Sequence, residues 1–336
     1  MLNYIWRMES IFPAMYSTLS PAALASLVSE KYNIGSVECQ FLVRGVGDTY
    51  LVGDSRYVLR VYRGSQRSLE QVQAEMELLM ASRQADVPVS YPIADREGGL
   101  IQTLDAVEGT RYAVLFTYAP GSPAAVLTEQ QLQLLGRQMA RFHNVSSTIR
   151  LSATRWNFDM ETTIDRPLAM VENAFASDPE AYAWLQSTAT RVKERLASMD
   201  SRAFSSGYCH YDFLPKNFHF DGEETLTFFD FDFFGYGWLV NDIMTFWEHL
   251  CLDVHFGRME QEAADRAFAV FVAAYREVRS LSDAELAAVP YLSFGWWLFY
   301  MGFYTTHDQF FPFLQPAMLK LRTGLMRRLM ERYISD

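Results

Sequence analysis

Residues 207–220, GYCHYDFLPKNFHF, and 225–237, TLTFFDFDFFGYG, set Asp212, Asp230 and Asp232 among aromatic and β-branched residues. A carboxylate taken out of water costs several kcal/mol unless a cation or a reaction compensates it. Between the two stretches, Asp221-Gly222-Glu223-Glu224 has the composition of a hairpin turn, and LTFFD reads as an apolar strand ending on Asp230. A hairpin brings the Asn217 end of one half to the Asp230 end of the other. Asp212, Asn217 and Asp230 then converge at the mouth of a small sheet. Oxygen donors placed there suit Mg²⁺, with phosphate oxygens completing its octahedron. A further carboxylate facing a hydroxyl has the position of a base.

Working outward, the chain changes character once. Residues 40–63, QFLVRGVGDTYLVGDSRYVLRVYR, predict three short strands with turns at Gly45-Val46-Gly47-Asp48 and Gly53-Asp54. SLEQVQAEMELLMASRQA has helical spacing, with Leu69, Val72, Met76 and Leu79 on one stripe and Ser68 as N-cap. VPVSYPIAD and RYAVLFTYAPG predict further strands, and Pro120-Gly121 ends the region. Beyond it helices dominate, from TEQQLQLLGRQMARFHNV with its Thr128 cap to segments near 165–200, 240–255, 259–279 and 283–333. The two opening stretches are the strand-rich island among them.

With 336 residues, half of them apolar and 15% aromatic, the chain holds a large core in two domains or two lobes. The net charge of -11 divides into -3 up to Gly121 (13 acidic, 10 basic) and -8 beyond it (27 acidic, 19 basic). That balance argues against a nucleic-acid partner; it suits a cationic substrate, and acidic solubility explains it as well. Cys39, Cys209 and Cys251 form no CxxC pair, as expected of a reduced cytoplasmic protein. The opening MLNYIWRMESIFPAM lacks a secretory pattern, and Met8 is an alternative start. The uncharged stretch from Val289 to Thr306 contains Pro290, Ser293 and two glycines. It reads as a buried aromatic helix, at the margin of the roughly 20 residues a membrane span needs, so no membrane partner is expected.

An Asp, an Asn after four intervening residues and a strand-end Asp form the spacing used in phosphoryl transfer. His210-Tyr211-Asp212, Asn217 and Phe229-Asp230-Phe231-Asp232, followed by GYGWLVNDIMTF, resemble the aminoglycoside phosphotransferase and choline kinase superfamily, which includes homoserine-kinase-like members. Its pattern is His-Gly-Asp, Asn five residues on, then Ile-Asp-Phe-Asp/Glu. The resemblance implies an α+β, bilobal protein-kinase-like fold. Residues 1–115 would be a small antiparallel-sheet N-lobe with one helix, 116–121 a hinge, and 122–336 a larger, mostly helical C-lobe. It implies an ATP- and Mg²⁺-dependent phosphotransferase acting on a small-molecule hydroxyl, with ATP between the lobes. Asp212 would be the catalytic base, Asn217 and Asp230 the metal ligands, and His210 and Asp242 structural supports. In the first lobe it assigns Gly45 and Gly47 to the phosphate loop and Arg60 to the strand cation. Glu75 would be the partner of Arg60, with Glu77 the fallback, and Phe116 to Tyr118 the adenine-binding strand. His143 falls in the C-lobe core. Three departures stand out: the loop is not GxGxxG, Tyr211 replaces Gly, and Leu214 stands where Ser/Thr protein kinases carry Lys. Tyr211 would alter the loop's shape or reach toward substrate, and Leu214 favours a small-molecule acceptor.

Blander readings accompany these. Asp212 fits a turn cap, Arg60 a surface strand position and Glu75 a solvated helix face. Asp232 fits solvent-facing strand alternation as well as a second-metal or substrate role. His249, Cys251 and His255 do not share one helix face, which speaks against zinc. The segment GWWLFYMGFYTTHDQFF reads as core, or as a wall holding a cationic amine by cation–π contact. A protein Ser/Thr kinase of the same fold, and a non-catalytic nucleotide-binding member, remain open beside the small-molecule kinase; a metallohydrolase is more distant.

Overall fold

The computed structural model describes residues 14–334 apart from Ser55, Ala125 and Thr154. The leader reading and the alternative start at Met8 lie outside the described residues. The chain divides into two compact units: Met1–Ala119 with Leu151–Ala153, and Pro120–Arg150 with Thr154–Asp336.

In the first unit, helix α1 (Pro21–Lys31) precedes strands β1 (Cys39–Arg44), β2 (Asp48–Val52) and β3 (Tyr57–Arg63). Helix α2 (Leu69–Gln84) and strands β4 (Gln102–Ala106) and β5 (Gly109–Thr117) follow. The sheet runs β1-β2-β3-β5-β4 with every neighbour antiparallel. One sheet face carries Tyr50, Leu59, Val61 and Leu115 into a core with Leu24 and Val28 of α1. The expected single helix is therefore joined by a second. Its Pro21 at the first turn and Ser20 cap are ordinary start signals, but it lies ahead of the strands from which the region was read. Helix α2 forms as expected, with a Ser68–Gln71 capping box and buried Val72, Met76 and Leu79.

One expectation fails here. VPVSYPIAD is not a strand; it makes isolated bridging contacts such as Pro92 with Phe116, because Pro88 and Pro92 withhold the amides that a ladder needs. The partner of β5 is instead QTLDA, whose alternating half-buried pattern covers five residues.

The second unit contains helix α3 (Glu129–Ser146), strand β6 (Asn157–Phe158), helices α4 (Arg166–Val171) and α5 (Pro179–Ser198), and strand β7 (Ser206–Cys209). Strands β8 (Phe218–Asp221), β9 (Thr225–Phe228) and β10 (Gly235–Trp238) follow, then helices α6 (Val240–His255), α7 (Gln261–Arg276), α8 (Asp283–Tyr304) and α9 (Pro316–Tyr333). The hairpin β8–β9 pairs Phe218 with Phe228 and Asp221 with Thr225, so the turn falls where composition placed it. Gly121 (φ +82°) lies so close to this hairpin that a Cβ would sit 2.0 Å from the Phe220 carbonyl oxygen, which requires glycine.

The helix expected across 165–200 is divided by a 3-10 turn at Glu172–Phe175. That expected across 283–333 is broken at Thr305 and resumes after a 3-10 stretch, Asp308–Leu314, containing Pro312. Helix α8 is apolar and long enough to cross a membrane, yet 72% of its most apolar window is buried inside the protein.

Helix α8 meets α6 around Glu248, which is fully buried and accepts hydrogen bonds from Ser293 Oγ and, at 2.9 Å, from Trp297 Nε1. Burial raises its pKa from 4.5 to about 7, against the opposing effect of those two donors. The folded state therefore holds this proton over a pH range in which the unfolded chain has lost it. The resulting stability is complete below about pH 4.5 and is lost as pH rises through about 7. Glu248→Gln keeps an acceptor for Trp297 and, like the protonated acid, presents a donor to which the Ser293 hydroxyl can turn its oxygen, without a charge. Unfolding midpoints measured from pH 5 to 8 should show the variant gaining on the parent as pH rises, by on the order of 3 kcal/mol at the upper end. Parallel profiles for the two proteins would show that Glu248 does not titrate in this range.

Candidate active site

Strands β7 and β10 pair antiparallel, Gly235 opposite Cys209, and the loop leaving β7 carries His210, Tyr211 and Asp212. One buried carboxylate organises that loop. Asp242, in the first turn of α6, accepts the His210 amide at 2.9 Å, the Tyr211 amide at 2.7 Å and His143 Nε2 at 3.0 Å. Burial keeps the His143 imidazole below its ordinary pKa, with Asp242 pulling the other way. The neutral ring donates through Nε2, and its Nδ1 accepts from Tyr275 Oη at 2.8 Å. His210 works similarly: Nδ1 accepts the Asp212 amide at 3.2 Å, and Nε2 donates to the Phe229 carbonyl at 3.0 Å.

Phe229 joins the two halves of the site. Its carbonyl takes the His210 bond, its amide donates to Asn217 O at 3.0 Å, and the next residue is Asp230. The Asp212, Asn217 and Asp230 segments are thus stitched together by one backbone bond and by the His210 ring. Asn217 Nδ2 donates to both Asp212 O and Asp212 Oδ2, each at 2.8 Å. This commits the amide nitrogen and turns the amide oxygen elsewhere. Asp230, half-buried, adopts a left-handed conformation (φ 64°, ψ 60°) just beyond the strand. An outlier of this kind costs about 1–3 kcal/mol and is found where function constrains the backbone. An amide and a carboxylate carried on segments that are hydrogen-bonded to each other offer oxygen donors of the kind that suit a hard divalent cation whose other ligands are waters and phosphates. Among the described residues no three or more His, Cys, Asp or Glu side chains are grouped as metal ligands.

Asp232 does not face solvent, as strand alternation would have it. Strand β9 ends at Phe228, and a 3-10 turn over Phe231–Phe233 folds Asp232 inward, 3% exposed, with Arg155 Nη1 3.5 Å away. Arg155 also donates to the Phe231 carbonyl at 2.9 Å.

In the first unit, Arg60 sits on β3 opposite Thr49 and Val114, its guanidinium 5.6 Å from the Tyr62 ring. Glu75, buried on α2, accepts from Tyr62 Oη at 3.0 Å. Arg60 and Glu75 therefore meet on Tyr62, while Glu77 receives the amide of Ser152 at 2.8 Å. Gly45 and Gly47 form the bend between β1 and β2, and a Cβ on Gly47 would stand 2.9 Å from Val61 O. The adjoining Asp48 is fully buried and ion-paired to Arg63 and Arg111, both at 2.9 Å, which pins the end of this loop. Phe116 is buried on β5, and the Tyr118 amide donates to Arg56 O at 3.2 Å.

A profile of the Phosphotransferase enzyme family matches residues 38–281. The chain belongs to this family. An uncharacterized protein of Deinococcus radiodurans is 33% identical over 293 residues, 87% of this chain and 84% of its own length. A homoserine kinase of Xanthobacter autotrophicus is 26% identical over 84% of each chain. Among solved structures, a microcompartment-associated aminopropanol kinase has a TM-score of 0.70 at 24% identity, covering 93% of this chain and 97% of that one. An amicoumacin kinase in complex with AMP-PNP, Ca²⁺ and Ami has a TM-score of 0.68 at 19% identity over 94% of each. These likenesses agree with the α+β kinase-like fold.

Where the phosphotransferase pattern has glycine, Tyr211 holds φ 64°, a conformation glycine adopts without strain. The side chain does not reach outward. It is 1% exposed and stacked on Phe158 at 3.7 Å between centroids, and its carbonyl accepts from Trp296 Nε1 at 3.2 Å. Those contacts offset the strain and hold the loop in the shape that glycine would permit. Trp296, Trp297 and Phe299 are core, as the blander reading held, and the Tyr304 ring is covered by the chain's own Arg322 at 5.0 Å.

Lys216, adjacent to Asn217, escaped the sequence reading of this phosphotransferase. Its Nζ lies 2.9 Å from Asp212 Oδ2. Partial desolvation opposes the ammonium charge of this largely exposed side chain, but Asp212 and Asp230 outweigh it and raise the lysine's pKa. A lysine four residues beyond the proposed base was the available signal. Arg155 had none, because its stretch carries no recognisable pattern.

Proposed function

We propose that this chain transfers the γ-phosphate of ATP to the hydroxyl of a small molecule. The observation that carries the reading is the tie between Asp212, Asn217 and Asp230 through Phe229 and His210. Phosphoryl transfer asks a protein chiefly for positioning and charge stabilisation, and this set offers both.

Asn217 and Asp230 would hold Mg²⁺. When bound, the ion neutralises charge on the β- and γ-phosphate oxygens. Asp212 orients the acceptor hydroxyl and takes its proton. Its Oδ2 is engaged by Asn217 and Lys216, whereas Oδ1, buried, has no hydrogen-bond partner in the protein. The proton therefore goes to Oδ1. In the first unit, Arg60, oriented with Glu75 about Tyr62, takes phosphate oxygens in a bidentate manner. Gly45 and Gly47 supply the phosphate loop, and the backbone near Phe116 and Tyr118 the adenine contact. The Tyr118 amide is already used by Arg56, so the base pairs with neighbouring groups of that strand end. Three free cysteines suit a cytoplasmic setting, where ATP and Mg²⁺ are supplied.

The acceptor we infer is an amino alcohol or hydroxy amino acid, the class to which homoserine and aminopropanol, named for two similar proteins, belong. The test is ADP release from ATP and Mg²⁺ with homoserine, ethanolamine, choline, 1-amino-2-propanol and an aminoglycoside. At least one should raise the rate at least tenfold and appear phosphorylated. No acceptor-dependent release with any of them would sink the reading, and label on protein from a cell extract would redirect it to a protein kinase.

A further inference from the structure

Helix α8 lies directly on the catalytic loop. Trp296 Nε1 bonds to Tyr211 O, and Phe299 meets the Tyr211 ring edge-on at 5.2 Å. One turn beyond Trp296 comes Tyr300, 8% exposed, its ring 4.9 Å from both Trp296 and Phe233. Its hydroxyl is close enough to Asp212 for the carboxylate's charge to act on it. Burial first, and that charge second, hold the phenol pKa well above its ordinary value, so it stays a donor. Asp212 stands within hydrogen-bonding reach of that hydroxyl, yet the bond is not closed: Tyr300 Oη and Asp212 Oδ1 are both buried, and neither meets a partner at hydrogen-bond distance and angle.

A buried polar atom left in this state costs about 1–3 kcal/mol and calls for an explanation. Here a donor and an acceptor stand close together without closing a bond to each other. An ammonium group would satisfy only Asp212, and a carboxylate would satisfy only Tyr300 while repelling Asp212. An alcohol hydroxyl, which donates and accepts through one oxygen, satisfies both.

We propose that Tyr300 Oη and Asp212 Oδ1 form the seat of the acceptor hydroxyl, with the phenol donating to the acceptor oxygen. This rests on the phosphotransfer reading above. As the acceptor oxygen bonds to the γ-phosphorus, the bond from that phosphorus to the bridging oxygen of the nucleoside triphosphate breaks. The diphosphate leaves with the electron pair. The acceptor proton passes to Asp212 Oδ1, and Tyr300 keeps its own. The phenol orients the attacking lone pair toward phosphorus and disfavours acceptors whose reacting group is not a hydroxyl.

Tyr300→Phe removes only the hydroxyl. With the acceptor that the screen identifies, kcat/KM should fall about 10- to 100-fold, the range for losing one hydrogen bond to a reacting group, while nucleotide Kd is kept. The unfolding midpoint should stay level or rise, because an unsatisfied buried group is gone; a tyrosine with a merely structural role would lower it. Competition by the deoxy analogue of that acceptor (2-aminobutyrate, for homoserine) gives a second readout. The parent should prefer the hydroxyl compound, and the variant should bind the pair about equally. If the parent works and the variant stays within twofold with its preference intact, the Tyr300 role is overturned and the phosphotransfer reading stands. If no acceptor in the panel is phosphorylated by the parent, both fall together.

Discussion

Asp212→Asn should transfer phosphate about 10²–10⁴ times more slowly than the parent, the range for removing a general base, with its nucleotide affinity retained. The geometry explains why the loss is chemical. Asn217 Nδ2 and Lys216 Nζ both donate to Asp212 Oδ2, so an asparagine at 212 keeps its amide oxygen on that side. Its NH₂ group then occupies the place of Oδ1. A proton acceptor becomes a donor at the one atom the reaction needs, while the neighbouring bonds survive. ADP release at saturating acceptor, nucleotide Kd by calorimetry and a thermal midpoint separate these effects. A variant within tenfold of the parent rate would remove Asp212 from the role of base. One that binds no nucleotide would contradict the prediction and show that residue 212 holds the nucleotide site together.

How far this site could be read from the sequence follows from how local its determinants are. Asp212, Asn217 and Asp230 lie within 19 residues, joined by a hairpin whose turn is written in Asp221 to Glu224. Pattern and spacing therefore place them together before any tertiary contact is known. The N-caps at Ser68 and Thr128 were visible for the same reason. Asp232 was misplaced because period-two alternation was extended past Phe228, where the chain turns into a 3-10 helix; nothing within the run FFDFDFF marks that boundary. Strand β4 and the non-strand around Pro88 and Pro92 were exchanged, since which apolar stretch pairs with β5 is settled by available amides and packing. Tyr300 was visible only as part of an aromatic run. Its meeting with Asp212 spans 88 residues of sequence and depends on how α8 lies across the loop.

The second large effect concerns stability, and through it the shape of the site. Asp242 is fully buried and receives three donors: the amides of His210 and Tyr211, and His143 Nε2. Its place in the first turn of α6 also suits a negative charge. Asp242→Asn retains the volume but offers a single acceptor oxygen. Whichever way the amide turns, its NH₂ faces at least one backbone or imidazole donor across hydrogen-bond distance. Leaving buried donors unsatisfied beside a lost charge should destabilise the protein by roughly 2–4 kcal/mol, read as a lower denaturation midpoint. The same amides hold Tyr211 at positive φ, against a preference of about 1–2 kcal/mol for right-handed backbone. Without Asp242 that residue can relax, moving the neighbouring Asp212. Phosphotransfer, measured well below the midpoint where the variant is still folded, should therefore fall more than tenfold even though residue 242 touches no reactant. Asp242→Asn,Tyr211→Gly should recover part of that rate, because glycine adopts the required backbone without strain, and little of the stability. If both properties return together, or neither property changes in the single variant, Asp242 does not set the loop conformation.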